Sequence, residues 1–562
     1  MTRAGKAAAL GGLVLVGASV LVSNADIETW LGRPVHSLAW GPPLFRCLLA
    51  VHGLLLILSS GQASGTRTSL PDFRRTTWFA LGGLTLLAIA LRIPGLNSCM
   101  WLDEVLTMVR FARPPVSQIL TSFPDQNQHM LYSLLAHASL RTFGEQVWAL
   151  RLPSVLFGVG SMWALFLVGR RLIGETQALL ACALMTVSYH HIWFSQNARG
   201  YMGLLFFTNL STWLWLEAMD RDRWTDWLGY ALAISLGMWI HMTMLFVVGV
   251  HFLISAIAWY RLGHEFRRVR LPLLAFLLCG TLTLQLYALV LPEFFRTAVS
   301  EASTPSEWTN PLWVLQESLR SLQAGFAALT VVLAGGFFLA AGWMDLLRKD
   351  WRAAWAIVLP GITGASAMLL LGHNLWPRFF FFCMGFALLI AVHGAMEVPR
   401  LLAGVSGARP PCDAPLHMGS IALPAGYVLA GMMIAASALT LPKGYRLPKQ
   451  DFLGARDYVE QEKQANDSIA VVGLAQHAYQ PYYAPRWAVV STIDQLTALQ
   501  ARSDHTFVVY TLPIELRAVH PKLWKAIQTN YEVRRVFWGT LGGGEVYVCR
   551  DRSPRTKLQA KR

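Results

Sequence analysis

The sequence predicts a polytopic α-helical membrane protein with about thirteen transmembrane helices, closed by a C-terminal soluble α/β domain. Three observations carry this. Hydrophobic residues make up 54% of the 562 and charged residues only 14%, a balance that soluble chains of this size do not show. Apolar runs of helix length recur as far as Leu441, and Arg and Lys gather in alternate loops between them. From Pro442 onward, short strand and helix patterns alternate instead. The 22 Trp and 15 Tyr suit interfacial belts. The formal charge of +15 does not indicate a nucleic-acid binder, because the basic residues sit in short loops, as orientation signals do. Seven scattered Cys, three of them (Cys182, Cys279, Cys383) inside apolar runs, give no disulfide framework and no metal-type spacing. P-loop, GxGxxG and HExxH signatures are absent from the sequence.

Arg3 and Lys6 precede the run Ala7 to Val22, with Ser23-Asn24-Ala25 behind it. That pattern is shared by signal peptides and first membrane helices, and we read it as an uncleaved first helix. A second run spans Pro42 to Leu58, and Arg67, Arg74 and Arg75 place the next loop in the cytoplasm. The run Trp78 to Ile93 then leads outward and ends at Pro94-Gly95. Gln128 to Thr142 is short and striped. His129, Ser133, His137 and Arg141 recur every four residues, opposite Leu131, Leu134, Leu135 and Ala138. This predicts an amphipathic helix lying at the interface. If it does not cross, residues 95–151 form one external loop. The later clusters Arg170-Arg171, Arg221 with Arg223, Arg261 to Arg270, and Arg348 to Arg352 then all fall inside.

The remaining expected spans are Leu152–Val168, Gln177–Phe194, Gly200–Leu216, Trp227–His241, Leu245–Tyr260, Leu271–Leu291, Phe326–Leu346, Trp355–Leu371, Phe379–Ala395 and Ile421–Leu441. Residues 397–420 read as a cytoplasmic linker, so the N-terminus is expected inside and the C-terminus outside. The domain division is an N-terminal hairpin with its cytoplasmic loop (1–76), a transmembrane core (77–441) and an external α/β domain (442–562). In the last, strands are expected at 468–472, 487–491, 506–511 and 545–549, and helices at 451–464, 493–501 and 515–530. Gly542-Gly543-Gly544 reads as a hairpin turn.

The stretch with the most chemistry is Cys99-Met100-Trp101-Leu102-Asp103-Glu104. Two adjacent carboxylates just past a membrane helix are costly unless they have a task. Such a pair suits proton abstraction or metal ligation. The alternative is that Asp103 caps a short helix and Glu104 is solvated in its first turn. On the same expected face stand Gln126, Gln128, His129, Arg151, Arg199 in the turn Ser195–Tyr201, His241, and Arg378 in the turn after His373. Taken singly, each Arg also reads as snorkelling and His241 as a helix cap. Carboxylates together with cations suggest a base working beside a bound phosphate.

These residues resemble a known family. Trp101-Leu102-Asp103-Glu104 resembles the acidic motif after the first core helix of GT-C glycosyltransferases, which include protein O-mannosyltransferases and the bacterial aminoarabinose transferases acting on lipid A. Gln128-His129-Met130-Leu131-Tyr132 is similar to the family's His-Pro-Pro-Leu-Tyr stretch. Arg151-Leu152-Pro153-Ser154, Gly169 to Gly174, and Tyr189 to Tyr201 are similar to its next helix and external turn. The resemblance implies a bacterial inner-membrane enzyme with a periplasmic C-terminal domain. Such an enzyme moves a monosaccharide, with inversion, from a polyprenyl-phosphate carrier to a hydroxyl of a lipid, glycan or protein. It implies Asp103 as the base and Glu104 as its partner, holding the acceptor, a metal or the base itself. Donor-phosphate contacts are implied at His241, Arg378, Arg151 and Arg199. Gln128, His129, Tyr132 and Tyr201 are implied to position the acceptor or the loop. No cofactor is implied with certainty; a divalent metal stays open, with Glu104 and His129 as candidate ligands. Two departures leave the sugar undetermined: Met130-Leu131 replaces the two prolines, and Leu106 stands where aminoarabinose transferases carry an arginine.

Other classes remain at this level. A transporter or lipid flippase would place charges within the membrane and often show internal repeats, whereas the acids here lie in a loop. A glycan ligase or polymerase would use a diphosphate-linked carrier. A scaffold would be indifferent to loss of Asp103.

Overall fold

The computed structural model describes residues 3–59, 73–125, 127–261, 266–299, 308, 310–326, 329–405 and 422–552. Gln126, Arg67 and most of the expected cytoplasmic linker lie outside them. The chain is a multi-pass helical membrane protein with a C-terminal mixed sheet. Among the described residues, each expected span is largely helical, and seven helices are long and apolar enough to cross a membrane, or nine if each of two bent pairs is one span. The expected thirteen is not reached on that measure, because Arg75–Arg92, Tyr201–Arg221, Trp224–Ile240 and Leu329–Lys349 are not among the nine.

One expected span is broken. Gln177–Phe194 is two helices, Glu175–Thr186 and Tyr189–Ser195, bent by 64°. The break turns two polar side chains of the second piece toward a buried cation. Arg92 donates to Ser195 Oγ at 3.0 Å and contacts His191 Nδ1, while His191 Nε2 lies 3.0 Å from Ser161 Oγ. A buried guanidinium needs such partners.

The amphipathic segment forms the helix Met130–Phe143, at 14 residues too short to span. The first three residues of its polar stripe, His129, Ser133 and His137, face inward, and Arg141 is exposed. Ser133 is buried and His137 Nδ1 lies 2.8 Å from the Ala112 carbonyl, whereas Leu135 and Ala138 are exposed. Two further polar residues of this helix serve the backbone beside a neighbouring proline. Pro153 lies inside the helix Val147–Ile173 and has no N–H, so the carbonyl of Ala149 loses its helical donor. Ser139 Oγ donates to it at 2.6 Å, and Tyr132 Oη donates to the next carbonyl, Leu150, at 2.8 Å. Tyr132 thus serves the helix junction.

The C-terminal sheet has the order β2-β1-β3-β5-β4, with β1 Ser468–Val472, β2 Ala488–Val490, β3 Thr506–Thr511, β4 Tyr531–Phe537 and β5 Val546–Asp551. β1 pairs in parallel with β2 and β3; β5 runs antiparallel to β3 and to β4. The expected helix 515–530 is two, Pro513–Val519 and Pro521–Asn530, separated where Pro521 interrupts the amide ladder. β4 is absent from the sequence reading. It is an edge strand whose central residues Glu532 to Arg535 are exposed, and a register shift at Val533/Arg535 breaks its alternation. Gly543, at φ +73°, lies in the β4–β5 connection, as the triple glycine suggested.

Candidate active site

Asp103 and Glu104 open the five-residue helix Leu102–Leu106, which continues as a π-helical turn over Thr107–Ala112. Both are buried, and their surroundings differ sharply. Glu104 is fully enclosed. Arg151 grips it twice, Nε to Oε1 at 2.8 Å and Nη2 to Oε2 at 2.6 Å. The amides of Ala198 and Trp101 donate to it at 2.8 and 3.4 Å, and Lys449 Nζ lies 3.7 Å away. Burial pushes this carboxyl up, but Arg151 and Lys449 outweigh it and hold it below the usual range. Burial, aided by Arg151 and opposed by Glu104, lowers the Lys449 ammonium to about 7. Glu104 is therefore not solvated, as the capping alternative supposed, although it does reach back to the Trp101 amide.

Asp103 has no such partners. Its Oδ2 is buried and makes no hydrogen bond, while Arg378 Nη1 and Arg199 Nη2 stand at ion-pair range, 3.5 and 4.0 Å. Arg378 lies over the rings of Trp376 (4.9 Å) and Trp101 (5.6 Å). Arg199 is held by Asn127, Nη1 to its carbonyl at 2.8 Å and Nη2 to Oδ1 at 3.0 Å. The Nε atoms of both arginines are buried without a partner among the described residues.

His129 and His241 stack at 4.8 Å beside Tyr201. Gly200 permits this. A Cβ there would sit 2.6 Å from the Ile240 carbonyl oxygen and 3.0 Å from the His129 ring. His129 Nδ1 donates to that carbonyl at 3.1 Å, which leaves Nε2 a buried acceptor without a partner. The Thr243 amide donates to His241 Nδ1 at 3.2 Å, so the proton of a neutral His241 is on Nε2. Burial, then the nearby Arg199 and Arg378, lowers His241 to about 3; burial, Arg199 and His241 lower His129 well below its ordinary value. Both rings are neutral at pH 7. A neutral His241 offers an N–H donor and not the cation the sequence suggested. Gln128 Oε1 is likewise buried and unpartnered.

Of the expected site residues, the fold gathers Asp103, His129, Arg199, Tyr201, His241 and Arg378, with Gln128 adjacent to His129. It separates off Arg151 and Tyr132. Arg151 is fully buried, and besides Glu104 it donates to the carbonyls of Gly95, Leu96, Ser98 and Cys99 and to Ser98 Oγ. No donor is left for a phosphate, which corrects the expectation for this residue. Among the described residues, the side chains grouped tightly enough to share a metal ion are Asp345, His393 and Glu397, on the helices Leu329–Lys349 and Met384–Val405. Neither Glu104 nor His129 belongs to that group. Sequence reasoning missed Asn127, Thr243, Lys449 and Gln450. Only Thr243, two residues after His241, carried a local signal.

Residues 127–291 match the dolichyl-phosphate-mannose-protein mannosyltransferase family. Over that stretch the chain is similar to a family of membrane glycosyltransferases. The match contains His129, Arg151, Arg199, Tyr201 and His241. Comparison with curated proteins gives no match. Among solved structures, ArnT from Cupriavidus metallidurans in the apo state is 13% identical, with a TM-score of 0.51 covering 84% of this chain and 98% of its own. The same protein bound to undecaprenyl phosphate is 13% identical, with a TM-score of 0.48 covering 85% and 98%. The oligosaccharyltransferase AglB from Archaeoglobus fulgidus, in complex with an inhibitory peptide and a dolichol-phosphate, is 11% identical, with a TM-score of 0.46 covering 84% and 74%. The likeness to apo ArnT shows a shared fold.

Proposed function

We propose that the chain is a GT-C glycosyltransferase that transfers a monosaccharide from a polyprenyl-phosphate carrier to an acceptor hydroxyl at the external membrane face, with Asp103 as base. One observation supports this above the rest. Four buried polar atoms without partners among the described residues gather here, Asp103 Oδ2, His129 Nε2, Arg199 Nε and Arg378 Nε, and Gln128 Oε1 on the neighbouring residue is a fifth such atom. Buried polar atoms are ordinarily hydrogen-bonded, and clustered exceptions mark a place where substrate completes the network. The set combines an acid that accepts a proton with donors that hold an anion.

The step is a single displacement. The acceptor oxygen attacks the anomeric carbon from the face opposite the phosphate and gives its proton to Asp103. The bond between the anomeric carbon and the phosphate oxygen breaks, and the polyprenyl phosphate leaves with the electron pair. A phosphate is a weak base, so the departure needs no general acid. Arg378 and Arg199 steady its charge, and the neutral His241 adds an N–H. Inversion follows from the single displacement. Glu104 acts through Arg151, holding the helix that presents Asp103. The outward-facing Leu135 and Ala138 suit a helix Met130–Phe143 whose apolar side rests in the bilayer surface, where the carrier phosphate lies.

The site is tested by binding undecaprenyl phosphate to the full-length protein in nanodiscs. Arg378→Ala is expected to weaken binding by about tenfold or more, since a charge-assisted contact contributes about 1.5–3 kcal/mol. His241→Ala should lose less, because it removes a neutral donor. Wild-type affinity in both Arg378→Ala and Arg199→Ala would place the phosphate elsewhere.

The proposed orientation follows the Arg clusters, with the N-terminus cytoplasmic and the sheet domain external. An alkaline-phosphatase reporter fused at residue 560 is expected to be active, and one fused near Arg268 silent. An active fusion near residue 173 would mean that the helix Met130–Phe143 crosses, and the external site would be refuted.

A further inference from the structure

The segment joining the last membrane helix to the sheet domain does more than connect them. Lys449 and Gln450 are buried, 5% and 0% exposed, and both reach back to the catalytic helix. Lys449 Nζ donates to the Gln196 carbonyl, lies 3.7 Å from Glu104 Oε1 and sits over the Trp193 ring at 5.3 Å. Gln450 Oε1 accepts from the Leu102 amide at 3.0 Å, at the first residue of the Asp103 helix. Its Nε2 donates to the Gly544 carbonyl at 2.9 Å and to Thr511 Oγ1 at 3.2 Å, at the end of β3. A third link lies beside them. Tyr483 Oη accepts from the Met100 amide at 2.8 Å and donates to the Met100 carbonyl at 2.9 Å.

We propose that the sheet domain is a clamp on the catalytic helix, with Lys449 and Gln450 as positioning residues for the transfer step. This rests on the assignment of Asp103 as base. A five-residue helix cannot hold its own geometry, since isolated helices shorter than about 12–15 residues are marginal. It also has no capping side chain of the usual kind, because Trp101 occupies the N-cap. Its first amides are instead held largely by the sheet domain and the segment leading into it. Gln450 takes the Leu102 amide, Tyr483 takes both polar groups of the Met100 backbone, and Glu104 takes the Trp101 amide. Lys449 is the second cation on Glu104, beside Arg151. The clamp therefore acts on both the backbone and the anchoring carboxylate next to Asp103. It touches neither Arg199 nor Arg378 in any described contact, so it should govern turnover and leave carrier binding alone.

The test uses the full-length protein in nanodiscs and in cells, with the variants Lys449→Met, Lys449→Arg and Gln450→Leu. Backbone amide exchange over residues 99–106 is expected to rise about tenfold in Lys449→Met and Gln450→Leu. Undecaprenyl phosphate affinity should stay within about twofold, because the phosphate-facing arginines are unchanged. Transfer product in cell-envelope fractions, read by mass spectrometry, should fall about tenfold or more, as for a displaced base. Lys449→Arg keeps the charge and should recover most of the product. Unchanged exchange over 99–106 overturns the clamp whatever the activity. A loosened segment with wild-type product, or product loss explained by lost carrier binding, overturns its link to catalysis. Retained transfer in Asp103→Asn would instead unseat the base assignment, and the exchange result would still report on the clamp.

Discussion

Asp103→Asn is expected to leave the protein folded and able to hold undecaprenyl phosphate, while transfer falls by about 10²–10⁴-fold, the usual cost of losing a positioned base. The fold leans little on the charge of Asp103, because Arg199 is also held by Asn127 and Arg378 by the rings of Trp376 and Trp101. Asp103 Oδ2 makes no hydrogen bond, and its two arginine neighbours stand at 3.5 and 4.0 Å. Asparagine keeps the shape and removes the proton acceptor. The comparison that matters is with carrier binding. Two cations lose a facing anion in the variant, so affinity for the phosphate should hold or rise. A purified Asp103→Asn protein that turns over at the wild-type rate would remove Asp103 from the chemistry. The same variant separates the enzyme from a lipid flippase, for which carrier movement would be lost without any change in glycosylated product.

Arg151→Ala should be the most damaging substitution in the chain, through stability and not through substrate. One buried guanidinium makes seven hydrogen bonds, two to Glu104 and five to the loop Gly95–Cys99. Truncating it leaves the Glu104 carboxylate enclosed, with Lys449 at 3.7 Å as its remaining cation. Removing one partner of a buried ion pair typically costs about 3–5 kcal/mol, a large share of the stability of most domains. We expect little extractable protein, and a thermal transition shifted sharply downward in what survives. Arg151→Lys should fare little better, because a single ammonium cannot bridge two carboxylate oxygens and five loop acceptors at once. The double variant Arg151→Met with Glu104→Leu removes both charges together and should accumulate better than Arg151→Ala, yet remain inactive. Normal stability of Arg151→Ala would show that the pair is not the anchor described here.

Much of the architecture was legible in the order of residues. Helix positions in the membrane core follow from apolar runs of sufficient length, a local property that needs no partner. β1 and β3 were readable for the same reason, as short β-branched runs between turn signals, whereas the exposed and bulged β4 was not. Asp103 and Glu104 stood out because two acids beside a membrane helix are rare. Their position after Pro94-Gly95 is a matter of sequence alone.

What only the tertiary structure decided is the division of labour between them. Adjacent carboxylates at the start of one helix look alike in sequence, but they point to different neighbours. Glu104 meets an arginine 47 residues away and becomes an anchor, while Asp103 faces Arg199 and Arg378 with Oδ2 unbonded. The neutral state of His241 depends on burial and on two arginines from other segments, which no local pattern records. The inward placement of Tyr132 and Ser139 on Met130–Phe143 serves two carbonyls of the next helix, one of which a proline there leaves without its donor. Gln450, 348 residues from the amide it accepts, had no signal at all. Sequence periodicity reports which face of an element is apolar. It cannot report which distant polar group that face will meet, because the electrostatic environment of a buried side chain is set by neighbours that only folding assembles.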